Sequence, residues 1–379
     1  MKIVLAFDSF KGSRGPLETG GSAREGILRA VGDAEVSVLG VADGGEGTLE
    51  AFMDNENVRA VRVQVSGPLG DAVQAAYAIL PNGTAVIELA QTAGLTLIEP
   101  RRRDPLKTTT LGMGELIAHA LKGGARKFLL ALGGSATNDG GTGLLHSLGW
   151  RFLDKDKQEL FPCGGNLERI EFIDTNAADA ALKNCAFEVA CDVDNPLCGP
   201  RGAAQVYAPQ KGANAEDVAR LDKGLAHYAQ VVERTLGIQI SDTPGAGAAG
   251  GVGGACLAFL KAQLRPGIDC VLDALDFDEK IRGADWVVTG EGRTDAQSLM
   301  GKAPQGIARR ARAQGIPAIV VSGGVKVPGE ALRQAGICAG FCTLRDVMTL
   351  EQAMEKTNSH NNMADTCEAI FGLIAAARK

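Results

Sequence analysis

Short apolar runs of four to six residues recur along the chain, each closing on a glycine-rich turn and followed by helical spacing. That alternation predicts β-α units around a largely parallel sheet. Ile3-Val4-Leu5-Ala6-Phe7 is the first strand, and Ala23, Ile27, Ala30 and Val31 then share one helix face, with Gly32 as the stop. A second strand is expected at 36–41. Between 60 and 90 the period changes. Val61-Arg62-Val63-Gln64-Val65 alternates every two residues, and the runs 74–80 and 84–89 flank Asn82-Gly83, so an antiparallel element begins there. Strands at 127–132 and 186–191 and a helix from 252 follow, and from about 285 plain alternation returns, with strands near 286–289, 317–322 and 337–342.

This order predicts an α/β protein of two dissimilar α/β domains. Residues 1–65 and 285–379 form a Rossmann-like domain with a mainly parallel sheet, and 66–284 form an inserted domain with a mixed sheet. A length of 379 residues agrees with two cores. Glycine supplies 50 residues, nearly twice the usual share of ~7%, so close backbone approaches are to be expected.

Charge and cysteine usage narrow the class. A net charge of −6 and a pI near 5.4 argue against a nucleic-acid surface. Nine cysteines, an odd number without a CxxC pair, read as reduced thiols. The opening strand meets Asp8 too early for a signal-peptide core, and the uncharged run 245–260 falls short of the ~20 apolar residues of a membrane span. A cytoplasmic protein, monomer or homodimer, with no membrane and no nucleic-acid partner, is expected.

Three turns after strands share one design: Asp43-Gly44-Gly45-Glu46-Gly47, Gly133-Gly134-Ser135-Ala136-Thr137-Asn138-Asp139, and Gly290-Glu291-Gly292-Arg293-Thr294-Asp295. In parallel α/β proteins ligands bind at the carboxyl ends of strands, and carboxylates and hydroxyls there hold Mg²⁺ or a substrate hydroxyl. The same residues also make plain turns. The run Gly245-Ala246-Gly247-Ala248-Ala249-Gly250-Gly251 opens a helix and formally matches GxGxxG. It reads either as a phosphate cradle or as a helix packed tightly through small residues. Lys11, Lys211 and Lys302 lie in loops, as a phosphoryl-transfer enzyme requires. No GxxxxGK[ST], no protein-kinase motif set, no GxSxG elbow and no metal-spaced histidine pair is present.

The blocks DSFKGS (8–13), ADGGEGT (42–48), GGSATNDGGTG (133–143), CDVDNPLCGPRGA (191–203), APQKGA (208–213), PGAGAAGG (244–251) and TGEGRTDAQS (289–298) closely resemble the bacterial glycerate kinase family, type I. The resemblance covers nearly the whole chain; Phe7 and Arg14-Gly15-Pro16 depart from the family pattern. It implies ATP- and Mg²⁺-dependent phosphorylation of D-glycerate to 2-phosphoglycerate (or 3-phosphoglycerate), with the active site in the cleft between the two domains. On that footing the reaction's needs distribute the residues. Asp295, then Asp192, is the candidate base, and Lys11 binds the transferring phosphoryl group. Arg293, Ser9 and Asn138 bind substrate, while Asp8, Asp43, Glu46 and Asp194 are candidate Mg²⁺ ligands. Gly133, Gly134, Ser135, Lys211, Gly245, Gly247, Gly250 and Gly251 are assigned to the nucleotide. A dinucleotide-dependent oxidoreductase and a non-catalytic sugar-acid or nucleotide sensor are the alternatives.

Overall fold

The structure, a computed structural model, describes residues 1–45, 47–53, 55 and 57–378. Its contacts divide the chain into two compact units. One is Met1–Asp43, Glu50–Glu56 and Val271–Lys379; the other is Gly44–Leu49 and Asn57–Cys270.

The first unit is built on a five-stranded parallel sheet in the order 337–342, 318–322, 286–290, 2–7, 35–40. Ile3, Leu5, Phe7, Val288, Ile319 and Val321 pack with the helices Pro16–Ala30 and Lys356–Ala377. By the two-residue period of a strand, Val4, Val287 and Val320 fall on the opposite face, and all three are fully buried. The helix Ala303–Ala313 packs on the strands 286–290 and 318–322 and buries Ile307, Ala308 and Ala311. Burial on both faces is why these strands read as unbroken apolar runs. The helix Pro16–Ala30 starts with Pro at its first position, where no amide hydrogen is needed, and Glu18 accepts from Gly15 N at 3.1 Å.

The second unit holds a six-stranded mixed sheet in the order 263–265, 186–190, 127–131, 84–88, 72–79, 59–66. The first four strands run parallel and the last two are antiparallel. The expected turn is present: Gly83 has φ +81°, and Asn82 Oδ1 accepts from Thr84 N at 3.0 Å. The long helix Ala215–Leu236 is capped by Asn214, whose Oδ1 accepts from Glu216 N and Asp217 N, and ends at Gly237 with φ +69°.

The division differs from the expected boundaries in three places, one of them Gly44–Leu49, which falls in the mixed unit. Arg59–Ser66 pairs with Ala72–Ile79 over eight residues, so the ladder carries 57–65 into the mixed unit. At the other end Arg310 bonds Asp278 and Asp273, both at 2.6 Å, which fastens residues before 285 to the helix Ala303–Ala313 of the parallel unit. Among the described residues no helix is long and apolar enough to cross a membrane, and all nine cysteines are free thiols.

Candidate active site

Three parallel strands of the first unit deliver carboxylates from their carboxyl ends into one cavity of about 420 Å³. The strand Lys2–Phe7 ends in Asp8, whose N–H donates to Gly290 O at 3.0 Å, while Ser9 N donates to Asp8 Oδ1 at 2.6 Å. Asp43 follows the strand Glu35–Gly40, and Glu291 follows Trp286–Gly290. Gly290 is obligatory: a Cβ there would stand 1.8 Å from Val321 O. Ser322 Oγ accepts from Glu291 N at 3.1 Å and lies 2.8 Å from Thr294 Oγ1, which fixes the path of the turn. Ser9, Lys11, Arg293 and Lys302 also line this cavity.

Like charges crowd here. Burial, then the neighbouring Asp43 carboxylate, pushes the Asp8 carboxyl up to about 7, against the opposing pull of Ser9 N, with Glu291 adding to the rise and Lys11 resisting it. Burial likewise raises Glu291, which also feels Asp295 and Asp43, while Ser298 and Lys302 lower it. Glu291 Oε1 is buried and has no hydrogen-bond partner. An unpaired buried carboxylate oxygen is costly and calls for a cation or a donor from outside the chain. Among the described residues no group of three or more His, Cys, Asp or Glu is arranged to hold a metal ion.

Asp295, the expected base, is not on this cavity wall. Its Oδ1 accepts from Gln297 N at 2.9 Å, so its carboxylate opens the short turn Gln297–Leu299. Glu291 and Lys302 stand on the wall instead. Their signal was readable in the strand-end position of Glu291 and the loop position of Lys302, but nothing in the spacing separates Glu291 from Asp295.

The remaining expected residues belong to the second unit. Asp192 Oδ1 accepts from Gly267 N at 2.8 Å, and Asp194 pairs with Arg201 at 3.1 Å on an exposed surface. Glu46 lies outside the described residues. Gly133 is half-buried and Gly134 exposed, whereas Ser135 is buried, with its Oγ accepting from Lys211 Nζ at 2.9 Å. That lysine also donates to Thr137 O at 2.6 Å and is only 2% exposed. Burial pulls the Lys211 ammonium down to about 7, with Asp139 opposing. Asn138 is 0% exposed, and neither its Nδ2 nor its Oδ1 has a partner. The adjacent Asp139 accepts from Thr110 N and Oγ1, Gly141 N and Gly143 N, and so braces the turn from inside.

The glycine run serves packing. Cβ atoms at Gly245, Gly247, Gly250 and Gly251 would meet Leu264 Cδ2 at 2.5 Å, Pro196 O at 2.3 Å, Thr137 O at 2.2 Å and Gly140 Cα at 2.7 Å. Three of the glycine amides are donated within the chain: Gly247 to Asn195 O, Gly250 to Gly247 O, Gly251 to Ala248 O. The small-residue contact that one of the two readings expects is present in this geometry.

Comparison with known proteins follows the same outline. The model of the glycerate kinase family matches residues 3–375. The glycerate kinase of Bacillus subtilis is 45% identical over 356 residues, which cover 94% of this chain and 93% of that protein. The glycerate 2-kinase of Escherichia coli is 43% identical, over 99% of this chain and 98% of its own length. A crystal structure described as glycerate kinase 2 from Salmonella typhimurium LT2 superposes with a TM-score of 0.91 at 42% identity, covering 100% of this chain and 99% of that one.

Proposed function

The chain belongs to the glycerate kinase family, and from that premise we propose that it transfers the terminal phosphoryl group of MgATP to D-glycerate. The observation that carries this reading is the cavity in which Asp8, Asp43 and Glu291 stand with Lys11, Arg293 and Lys302. Phosphoryl transfer needs positioning and charge compensation more than covalent chemistry, and this donor set suits both. The name of the Escherichia coli relative supports the 2-hydroxyl as acceptor, hence 2-phosphoglycerate as product. A cytoplasmic setting agrees with nine free thiols.

The residues fit a divalent ion. Burial, and then the neighbouring Asp43 carboxylate, hold the Asp8 proton to about pH 7, and Mg²⁺ is commonly held by one or two carboxylates plus substrate phosphates. When bound, it neutralises charge across the phosphates. Lys11 then binds the transferring phosphoryl group, with Lys302 as a second cation. Arg293 offers a planar fork to the glycerate carboxylate. Glu291, in the place expected of Asp295, accepts the proton of the attacking hydroxyl and orients it.

The test is ADP release from MgATP with and without D-glycerate, with the product read by ³¹P NMR. Glycerate-dependent release and a single phosphoglycerate resonance are expected. Folded protein that binds ATP but releases no ADP with glycerate would overturn the assignment.

A further inference from the structure

The same cavity has apolar lining residues that phosphoryl chemistry leaves unexplained. Phe10, Leu344, Leu350, Ala353 and Met354 line it. Four of these lie on a strap, residues 343–354, between the strand Ile337–Cys342 and the helix Lys356–Ala377. The strap is tied at both ends. Thr343 N donates to Ser322 O at 2.9 Å, and the Met354 methyl occupies the space a Cβ on Gly12 would need, 2.6 Å away, beside Lys11. Thr349 accepts from Gln352 N and donates its own N–H to Gln352 Oε1, which opens the turn Leu350–Met354. Between these ties the apolar side chains are open to solvent: Leu344 is 42% exposed, Leu350 75% and Val347 100%.

A fixed apolar wall next to Lys11 has one occupant that matches its chemistry. Glycerate carries an oxygen on every carbon and has no apolar face to offer. A nucleoside triphosphate has both parts, a flat base with apolar faces and a polyanionic tail, and the cations Lys11, Arg293 and Lys302 line the same cavity. We propose that Leu344, Leu350, Ala353 and Met354, with Phe10, seat the nucleobase of the phosphoryl donor, while its phosphates lie over Lys11. This rests on the kinase reading above. It adds which residues select the base.

Leu344 and Leu350 are exposed enough to be replaced without opening the core. The double variant Leu344→Ser, Leu350→Ser is compared with the unaltered protein in two ways. In turnover, KM for ATP rises about 10-fold or more, the usual cost of stripping an apolar pocket, while KM for D-glycerate stays within about 2-fold. In calorimetry without glycerate, ADP binding weakens similarly while inorganic tripolyphosphate, which has no base, binds unchanged. Equal loss of ADP and tripolyphosphate, no loss of either, or a rise confined to KM for glycerate would overturn the seat. An unaltered protein that binds ADP but leaves glycerate untouched would sink the kinase assignment alone, and the ADP-against-tripolyphosphate comparison would still decide the seat.

Discussion

Glu291 and Asp295 stand four residues apart, yet the chain uses them differently. Asp295 gives its carboxylate to Gln297 N, while Glu291 keeps a buried, unpartnered oxygen on the cavity wall. General acid-base groups typically supply about 10²–10⁴-fold, so Glu291→Gln should lose roughly 100-fold or more in kcat while Asp295→Asn keeps most of it. The reverse ranking in steady-state assays would return the base role to Asp295. Asp8, Lys11 and Asp43 were legible because acids and lysines beside glycine turns after strands are where such folds bind ligands. Leu344 and Leu350 were not, since apolar residues in a loop read as ordinary packing. Lys211 is a separate case, a phosphate ligand by its sequence setting but a buried brace in the structure, bonded to Ser135 and Thr137. Its folded pKa of about 7 lies below the ordinary lysine value of 10.5. Below pH 7 both states carry the proton and the burial cost is felt in full. From pH 7 to 10.5 the unfolded chain holds a proton the fold lacks, so this cost is relieved as pH rises. The stability difference between the unaltered protein and Lys211→Met, from urea unfolding at pH 6.5 and 9.5, should therefore move in favour of the unaltered protein at the higher pH. Parallel behaviour would mean that Lys211 is neutral or fully compensated by Asp139 throughout.

At the scale of elements, the helix pair Pro16–Ala30 and Lys356–Ala377 shows how glycine content turns into geometry. A Cβ on Gly26 would lie 1.8 Å from Ala364 O, whereas one on Gly21 of the same helix meets nothing within 4 Å. Gly21→Ala should therefore stabilise the protein by ~0.5–1 kcal/mol through helix propensity. Gly26→Ala should destabilise it by ~1–3 kcal/mol or more, because the backbones must part. Thermal unfolding of the two variants checks the contrast, and equal shifts would show that the helices are not in backbone contact. Strands were legible at this scale because both-face burial writes unbroken apolar runs, and the hairpins because alternation and Asn82-Gly83 are local signals. Unit boundaries were less so. The ion pairs of Arg310 with Asp273 and Asp278 join residues more than thirty positions apart, which no local pattern announces. The run 245–251 was ambiguous for a different reason: a phosphate cradle and a backbone contact make the same demand for glycine, and only the neighbours, Thr137, Pro196 and Gly140, separate them.

For the molecule as a whole, the proposed Mg²⁺ must draw its affinity from few groups. The chain is an acidic protein with a formal charge of −6, and both proposed substrates are anions, so attraction must be local, through Lys11, Arg293 and Lys302. Two carboxylates at the strand ends are too few to hold Mg²⁺ tightly by themselves, since that ion keeps several waters and draws its remaining ligands from phosphates. The ion should then arrive with the nucleotide, and binding should be coupled. Ligands that bind only the folded state stabilise it by RT ln(1 + [L]/Kd), about 2.7 kcal/mol at a hundredfold excess over Kd. Millimolar Mg²⁺ alone should leave Tm nearly unchanged and ADP with a chelator should raise it little, whereas MgADP should raise it by several degrees, with Asp43→Asn removing most of the gain. Chelation should abolish turnover without unfolding the protein. A large Tm rise with Mg²⁺ alone, measured by scanning calorimetry, would instead mean that the chain assembles a complete metal site before any nucleotide binds, and the proposed division of ligands between Asp8, Asp43 and the phosphates would fail.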